Sequence, residues 1–232
     1  MTILIIKTIF LCAIAYLIGA IPTGVIISKK VFGFDIRTKG SGNMGSTNVM
    51  RVLGTKWGVV VQILDILKGV FPVLMLANVI GRNWDMFGEG SFLSLHILEI
   101  MVGLSAIVGH IFTCFAQFKG GKGINTALGM LLAIIPLETL SALVFFIIVV
   151  GISGYVSLAS MIAISILPIC FLIRHNCIDA IDGYLTLMYF ILSIVVLVFI
   201  VHRSNIVRLI RKTENKIEKW QFLCKNNKKE KQ

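Results

Sequence analysis

What most limits the fold of this chain is a series of apolar runs, each about as long as a bilayer is thick. A helix needs roughly 20 mainly apolar residues to cross. Runs of that kind lie at about 3–27, 57–80, 93–115, 124–152, 155–173 and 184–201. Composition agrees: the 232 residues are 57% hydrophobic and 14% charged, against roughly 45–50% and about 25% in soluble domains. The chain is therefore expected to be an all-α integral membrane protein, with membrane lipid as its solvent. The first run, Thr8 to Ile27, exceeds the roughly 7–15 residues of a signal-peptide core. It ends in Ser28-Lys29-Lys30 without a small-residue cleavage pattern, so it reads as a retained helix.

The basic residues choose the sides. Six lysines and arginines fall between Lys29 and Lys56, two at Lys119 and Lys122, and ten between Arg203 and Lys231. Segments 81–92 and 174–183 hold one base each (Arg82, Arg174) and two acids each (Asp85, Glu89; Asp179, Asp182). Basic loops stay in the cytoplasm. To keep Lys122 and Arg203 on one side, the stretch 124–152 must cross twice, turning at Pro136-Leu137-Glu138. The count is then seven transmembrane helices, two of them short at about 13 residues, with the N-terminus outside and the C-terminus cytoplasmic. Residues 1–214 are expected to form one membrane domain, and 215–232 a basic, disordered tail drawn to anionic lipid. The net charge of +11 follows from this distribution, and no nucleic-acid partner is expected. Five scattered cysteines without a CxxC pair support neither a disulfide framework nor a zinc site.

Three polar segments share the predicted cytoplasmic face. Gly40-Ser41-Gly42-Asn43-Met44-Gly45-Ser46-Thr47-Asn48 precedes Arg51. Ser41, Asn43, Thr47 and Asn48 can hydrogen-bond a ligand, Ser46 or Thr47 can cap the following helix, and Arg51 can grip a phosphate or carboxylate. The same residues would also serve merely to turn the chain and start a helix. Next comes Phe118-Lys119-Gly120-Gly121-Lys122-Gly123, ahead of a helix starting near Ile124. Glycine N–H groups, two lysines and a helix N-terminus together suit a phosphate; a plain interfacial loop is the alternative. A Ser/Thr after Gly-Lys and the Walker spacing are missing, which argues against a nucleotide. Finally, His202 and Asn205 would share a face of a continuing helix, with His202 a general base or a phosphate donor. His110 lines the site or packs; His96 and His175 fall on the outer side. Asp65 and Lys68, three apart, read as a structural pair within the membrane.

Three strings, SGNMGSTNVMR at 41–51, GHIFTCFAQFKGGKGINT at 109–126 and HRSNIVRL at 202–209, resemble the PlsY family of bacterial membrane glycerol-3-phosphate acyltransferases. Their order and the Ile-Pro-Thr-Gly of helix one also match. The resemblance implies a multi-pass enzyme of the bacterial cytoplasmic (inner) membrane whose active site faces the cytoplasm. It would transfer an acyl group from acyl phosphate to the 1-position of glycerol 3-phosphate, without metal or organic cofactor. Carried over by position, Ser41, Arg51, His202 and Asn205 are the expected catalytic residues. Ser41, Arg51, Lys119, Gly120, Gly121, Lys122 and Gly123 are the expected phosphate-binding set, with Asn43, Thr47, Asn48 and His110 in support. Three departures stand out: Ser46 where alanine is usual, Asn125 for a small residue, and Lys212 for a glycine ahead of Thr213-Glu214.

Acyl phosphate is already activated, so no acyl-enzyme is required, and positive charge would bring two anionic substrates together. No histidine has an acid five residues on, which leaves the substrate's own phosphate to take the hydroxyl proton, or His202. An organophosphate or phosphate transporter is the main rival, but it would call for internal repeats and midplane charges.

Overall fold

The computed structural model describes residues 1–87 and 93–216. Glu89 and the basic tail from 217 onward lie outside the described residues. All regular structure among those described is helical. Among the described residues, six helical segments are long and apolar enough to cross a membrane: Thr2–Phe32, Thr55–Asn83, Leu95–Ala116, Pro136–Ser153, Val156–Cys177 and Tyr184–Val201. The described chain forms two compact units, Met1–Ile135 and a second beginning at Pro136.

In the first unit, the expected opening helix is broken. α1 (Thr2–Ala20) stops before Pro22 and α2 (Thr23–Phe32) starts after it. Proline has no N–H and pushes its predecessor out of the helical region, and Ile21 sits at ψ 113°. The carbonyls freed there find new donors. The Thr113 hydroxyl donates to the Ala20 carbonyl, and Lys68 Nζ donates to that of Ile21 at 2.5 Å. A short amphipathic helix, α3 (Ser46–Leu53), follows the first polar loop. Gly54, at φ 91°, turns the chain into α4 (Thr55–Phe71), which runs through a π-helical stretch, Pro72–Ile80, to a single turn, α5 (Gly81–Asn83). Then come α6 (Leu95–Ile111) and α7 (Ile124–Ile134).

Small residues set how these helices meet, as befits lipid, where close packing replaces the hydrophobic drive. A methyl group at Gly19 would strike the Ala106 backbone, and one at Gly109 the carbonyl of Tyr16, so α1 and α6 touch main chain to main chain. The α4–α7 contact is built alike, from Gly69 against Thr126 and Gly129 against Ile66. Where α1, the π-helical stretch and α6 meet, Leu11, Ala15, Leu76, Leu98 and Val102 form a buried core. Ile3, Ile6, Phe10 and Leu17 face outward on α1, as a lipid-covered surface requires.

The break expected at Pro136 is present: α7 ends at Ile134 and α8 (Pro136–Ser153) begins with the proline, whose missing N–H costs nothing there. The lengths differ from two helices of about 13, being 11 and 18 residues. At roughly 1.5 Å per residue, α7 covers about half of a 30 Å hydrocarbon layer.

The second unit contains α8, α9 (Val156–Cys177), α10 (Tyr184–Val201) and α11 (Arg203–Ile210). Arg174 reaches the buried Glu138 at 3.2 Å, and Phe171 stacks on Tyr184 with ring centroids 5.5 Å apart.

Candidate active site

The first polar loop is organised from within by one buried side chain. Asn48, 2% exposed, accepts from the Ser41 N–H at 2.8 Å. It donates to the carbonyls of Asn43 and Lys39 at 2.8 and 3.0 Å. Asn43 Oδ1 accepts from the Gly45 N–H. Outside the loop, Arg37 is clamped to Asp35 and donates to the Ala116 carbonyl, tying the loop to the corner after α6. The hydrogen bonds from Arg37 outweigh burial and hold the Asp35 carboxyl far below the usual range. Neither Ser46 nor Thr47 caps α3. The N-cap is Gly45, with no side-chain cap. The Ser46 hydroxyl is used elsewhere, accepting from Asn125 Nδ2 at 3.0 Å. This bond joins the starts of α3 and α7, and it joins two of the three positions at which the sequence departs from the family pattern.

Between these two helix starts lies a cavity of about 270 Å³. From the first motif, Ser41, Asn43, Thr47, Asn48 and Arg51 line it. From the second, His110, Lys122 and Gly123 do. Arg51 and Lys122 form no ion pair among the described residues. The N-terminus of α7 joins them: its N-cap, Gly123, lies at φ 76° and supplies no side-chain cap. Free N–H groups there carry partial positive charge. Two cations and a bare helix start on one cavity are a combination that favours an anion.

The rest of the glycine loop behaves otherwise. Lys119 is exposed and does not line the cavity. The N–H groups of Gly120 and Gly121 donate to the carbonyls of Ile111 and His110, at 3.0 and 3.1 Å. A methyl group at Gly120 would meet those carbonyls, and one at Gly121 the His110 ring. These two glycines let the loop fold back onto the end of α6.

Five cavity-lining residues lie outside the expected set: Gly45, Ser46, Asp65, Ile124 and Asn125. The sequence spacing reads Asp65 only as half of a structural pair with Lys68. It does pair with Lys68 at 2.8 Å and accepts from Thr23 Oγ1 at 2.6 Å, yet it also reaches the cavity wall. The signal available was its place two turns after Trp57 on the same helix as Lys68, which does not report orientation. No group of three or more His, Cys, Asp or Glu among the described residues is placed to hold a metal ion.

His202 and Asn205 belong to the second unit. His202 stands between α10 and α11, its Nδ1 2.9 Å from the Val198 carbonyl. A carbonyl can only accept, so Nδ1 carries the proton and Nε2 of the neutral ring is left as an acceptor. Asn205 Nδ2 donates to Glu214 Oε1 at 2.9 Å, which Ser157 also reaches, while Arg208 Nε takes Oε2 at 2.7 Å. Burial would raise the Glu214 carboxyl, but the hydrogen bonds from Asn205, Arg208 and Ser157 outweigh it and hold it low. Lys212 adopts φ 58°, the left-handed backbone that suits glycine. The lysine therefore takes up the turn, and Glu214 still reaches Asn205.

Residues 9–212 match the family model for glycerol-3-phosphate acyltransferase. A glycerol-3-phosphate acyltransferase of Fusobacterium nucleatum is 43% identical over 213 residues, spanning 90% of this chain and 98% of its own. One from Chlorobium phaeobacteroides is 39% identical over 226 residues, spanning 89% and 94%. Among solved structures, PlsY, an integral membrane glycerol 3-phosphate acyltransferase, matches in its glycerol 3-phosphate form. The TM-score is 0.68 and the identity 34%, covering 94% of this chain and 98% of that one. Its lysophosphatidic acid form matches with a TM-score of 0.69 and 34% identity, covering 93% and 98%.

Proposed function

The chain belongs to the glycerol-3-phosphate acyltransferase family, and from that premise we propose that it moves a fatty acyl group from acyl phosphate to the 1-hydroxyl of glycerol 3-phosphate. It is a multi-pass membrane acyltransferase of glycerol 3-phosphate; the donor, the regiochemistry and the residue roles are the proposal. The observation that carries it is the cavity between α3 and α7, where Arg51, Lys122 and the bare start of α7 converge and neither cation has a carboxylate partner among the described residues.

Arg51, Lys122 and Gly123 hold the phosphate of glycerol 3-phosphate there, with Ser41 as a further donor. Lys119 adds charge from the rim, while Gly120 and Gly121 shape the loop. Asn43, Thr47 and Asn48 support the wall. The substrate hydroxyl attacks the acyl carbonyl carbon, the bond from that carbon to the phosphate oxygen breaks, and inorganic phosphate leaves. The hydroxyl proton passes to the substrate's own phosphate. His202 and Asn205 orient the reacting groups, supported by the third motif and by the tautomer and the Glu214 anchor described above. The reaction draws on no metal or organic cofactor. Positive-inside counting supports a site on the cytoplasmic face, with α7 a short seventh crossing, the N-terminus outside and the C-terminus inside; the family likeness supports the inner membrane.

Purified protein given acyl phosphate and glycerol 3-phosphate should release inorganic phosphate with formation of lysophosphatidic acid. Product from acyl-CoA, with none from acyl phosphate, would overturn the donor assignment.

A further inference from the structure

One end of the cavity is cationic, and the other is not. At its floor Asp65 and His110, 1% and 3% exposed, face each other with Oδ1 and Nδ1 3.9 Å apart. That is too long for a hydrogen bond. Oδ1 of Asp65 is engaged by Thr23 and Lys68. His110 Nδ1 has no hydrogen-bond partner among the described residues, although buried polar groups in folded proteins nearly always have one. The far side of the His110 ring is pressed against Gly121, so the ring cannot swing away without moving the glycine loop.

An acceptor and an unpartnered ring nitrogen at this separation suit a ligand group that donates and accepts from one small atom. A hydroxyl does both: its hydrogen goes to the Asp65 carboxylate, and its oxygen accepts from the imidazole N–H. An oxygen about 2.8 Å from both atoms fits between them. A phosphate does not suit the floor, because the Asp65 carboxylate lines the cavity while Lys68, which pairs with it, does not.

Resting on the function proposed above, we infer that Asp65 and His110 form a hydroxyl-binding floor that takes the 2-hydroxyl of glycerol 3-phosphate. The 1-hydroxyl is excluded by its partner, since the acyl group that must reach it carries a long apolar chain with no place in a buried, charged floor. With the phosphate held by Arg51 and Lys122 and the 2-hydroxyl held below, the 1-hydroxyl is the one left to react. The floor thus selects a polyol phosphate over a simple alcohol phosphate and determines which oxygen is acylated.

The test compares glycerol 3-phosphate with 3-hydroxypropyl phosphate, which keeps the 1-hydroxyl and the phosphate and lacks the 2-hydroxyl. The wild-type enzyme should prefer glycerol 3-phosphate by about a hundredfold or more in kcat/KM, because the analogue leaves buried polar groups unpaired. His110→Ala and His110→Gln should reduce that preference below about tenfold, chiefly by loss on glycerol 3-phosphate. Competitive inhibition by inorganic phosphate, which reads the cationic end, should change by less than about threefold. Equal use of both substrates by the wild-type enzyme overturns the inference, whatever becomes of the variants. So does an undiminished preference in either variant, or a parallel loss of phosphate inhibition. Absence of phosphate release by the wild-type enzyme from acyl phosphate and glycerol 3-phosphate would instead overturn the functional reading beneath it.

Discussion

Two glycine-rich loops border the cavity, and they use glycine in opposite ways. In the loop before α3, backbone turns at Gly40 and Gly42, both at positive φ, free the side chains of Ser41, Asn43 and Thr47 to face the cavity, while buried Asn48 braces them. In the loop before α7, Gly120 and Gly121 spend their N–H groups on the carbonyl end of α6, and only Lys122 and Gly123 reach the cavity. A run of glycines thus reports close backbone approach as readily as anion binding. The surroundings decide which.

The comparison breaks first on the cations. Arg51→Ala and Lys122→Ala should each lower kcat/KM for glycerol 3-phosphate by about a hundredfold to a thousandfold, the scale of losing an oriented charge in a site. Lys119→Ala should cost less than about threefold. Equal losses at 119 and 122 in steady-state kinetics would return the whole loop to anion binding. A smaller effect is expected at Gly121→Ala, where the added methyl meets the His110 ring. Overpacking of that kind costs about 1–3 kcal/mol. Thermal unfolding in detergent should show a lower Tm together with a raised KM for glycerol 3-phosphate. A raised KM at unchanged Tm would mean that the loop N–H groups serve the ligand after all.

The link between the two loops offers a finer test. A double-mutant cycle on Ser46→Ala and Asn125→Ala should give a coupling of about 0.5–1.5 kcal/mol in kcat/KM. A coupling near zero would mean that the two loops are positioned independently. The smallest effect concerns pH and lies outside this cavity, at Glu214. Its folded-state value is depressed, so its stabilisation is complete above the unfolded carboxylate value and fades as pH falls through the lower folded one. The stability gap between wild type and Glu214→Gln should therefore be flat from about pH 8 to 5 and shrink below about pH 4. A gap that shrinks above pH 6 would show that Glu214 is not held as a carboxylate.

Much of the architecture was legible in hydropathy alone. Helices at 155–173 and 184–201 lie within a few residues of those observed, because lipid forces an apolar segment to satisfy its own backbone. The break at Pro136 was legible too, since proline acts locally. Pro22 has the same chemistry, yet hydropathy runs unbroken across it and predicts one long helix. Its consequence depends on Lys68 and Thr113 donating to the freed carbonyls, and no local pattern announces them.

Side-chain chemistry and its order along the chain determined that this is a membrane protein, which family it belongs to, and which residue types could meet a phosphate. These are properties of composition and local spacing, and they survive without coordinates. Only the tertiary structure decided which lysine of the glycine loop reaches the cavity, that Ser46 turns from its own helix to Asn125, and that Asp65 shares a floor with His110. Each depends on the close crossings of α1 with α6 and of α4 with α7. Helix crossings bring together residues some 40 to 80 positions apart, and no spacing rule of a single helix spans that distance.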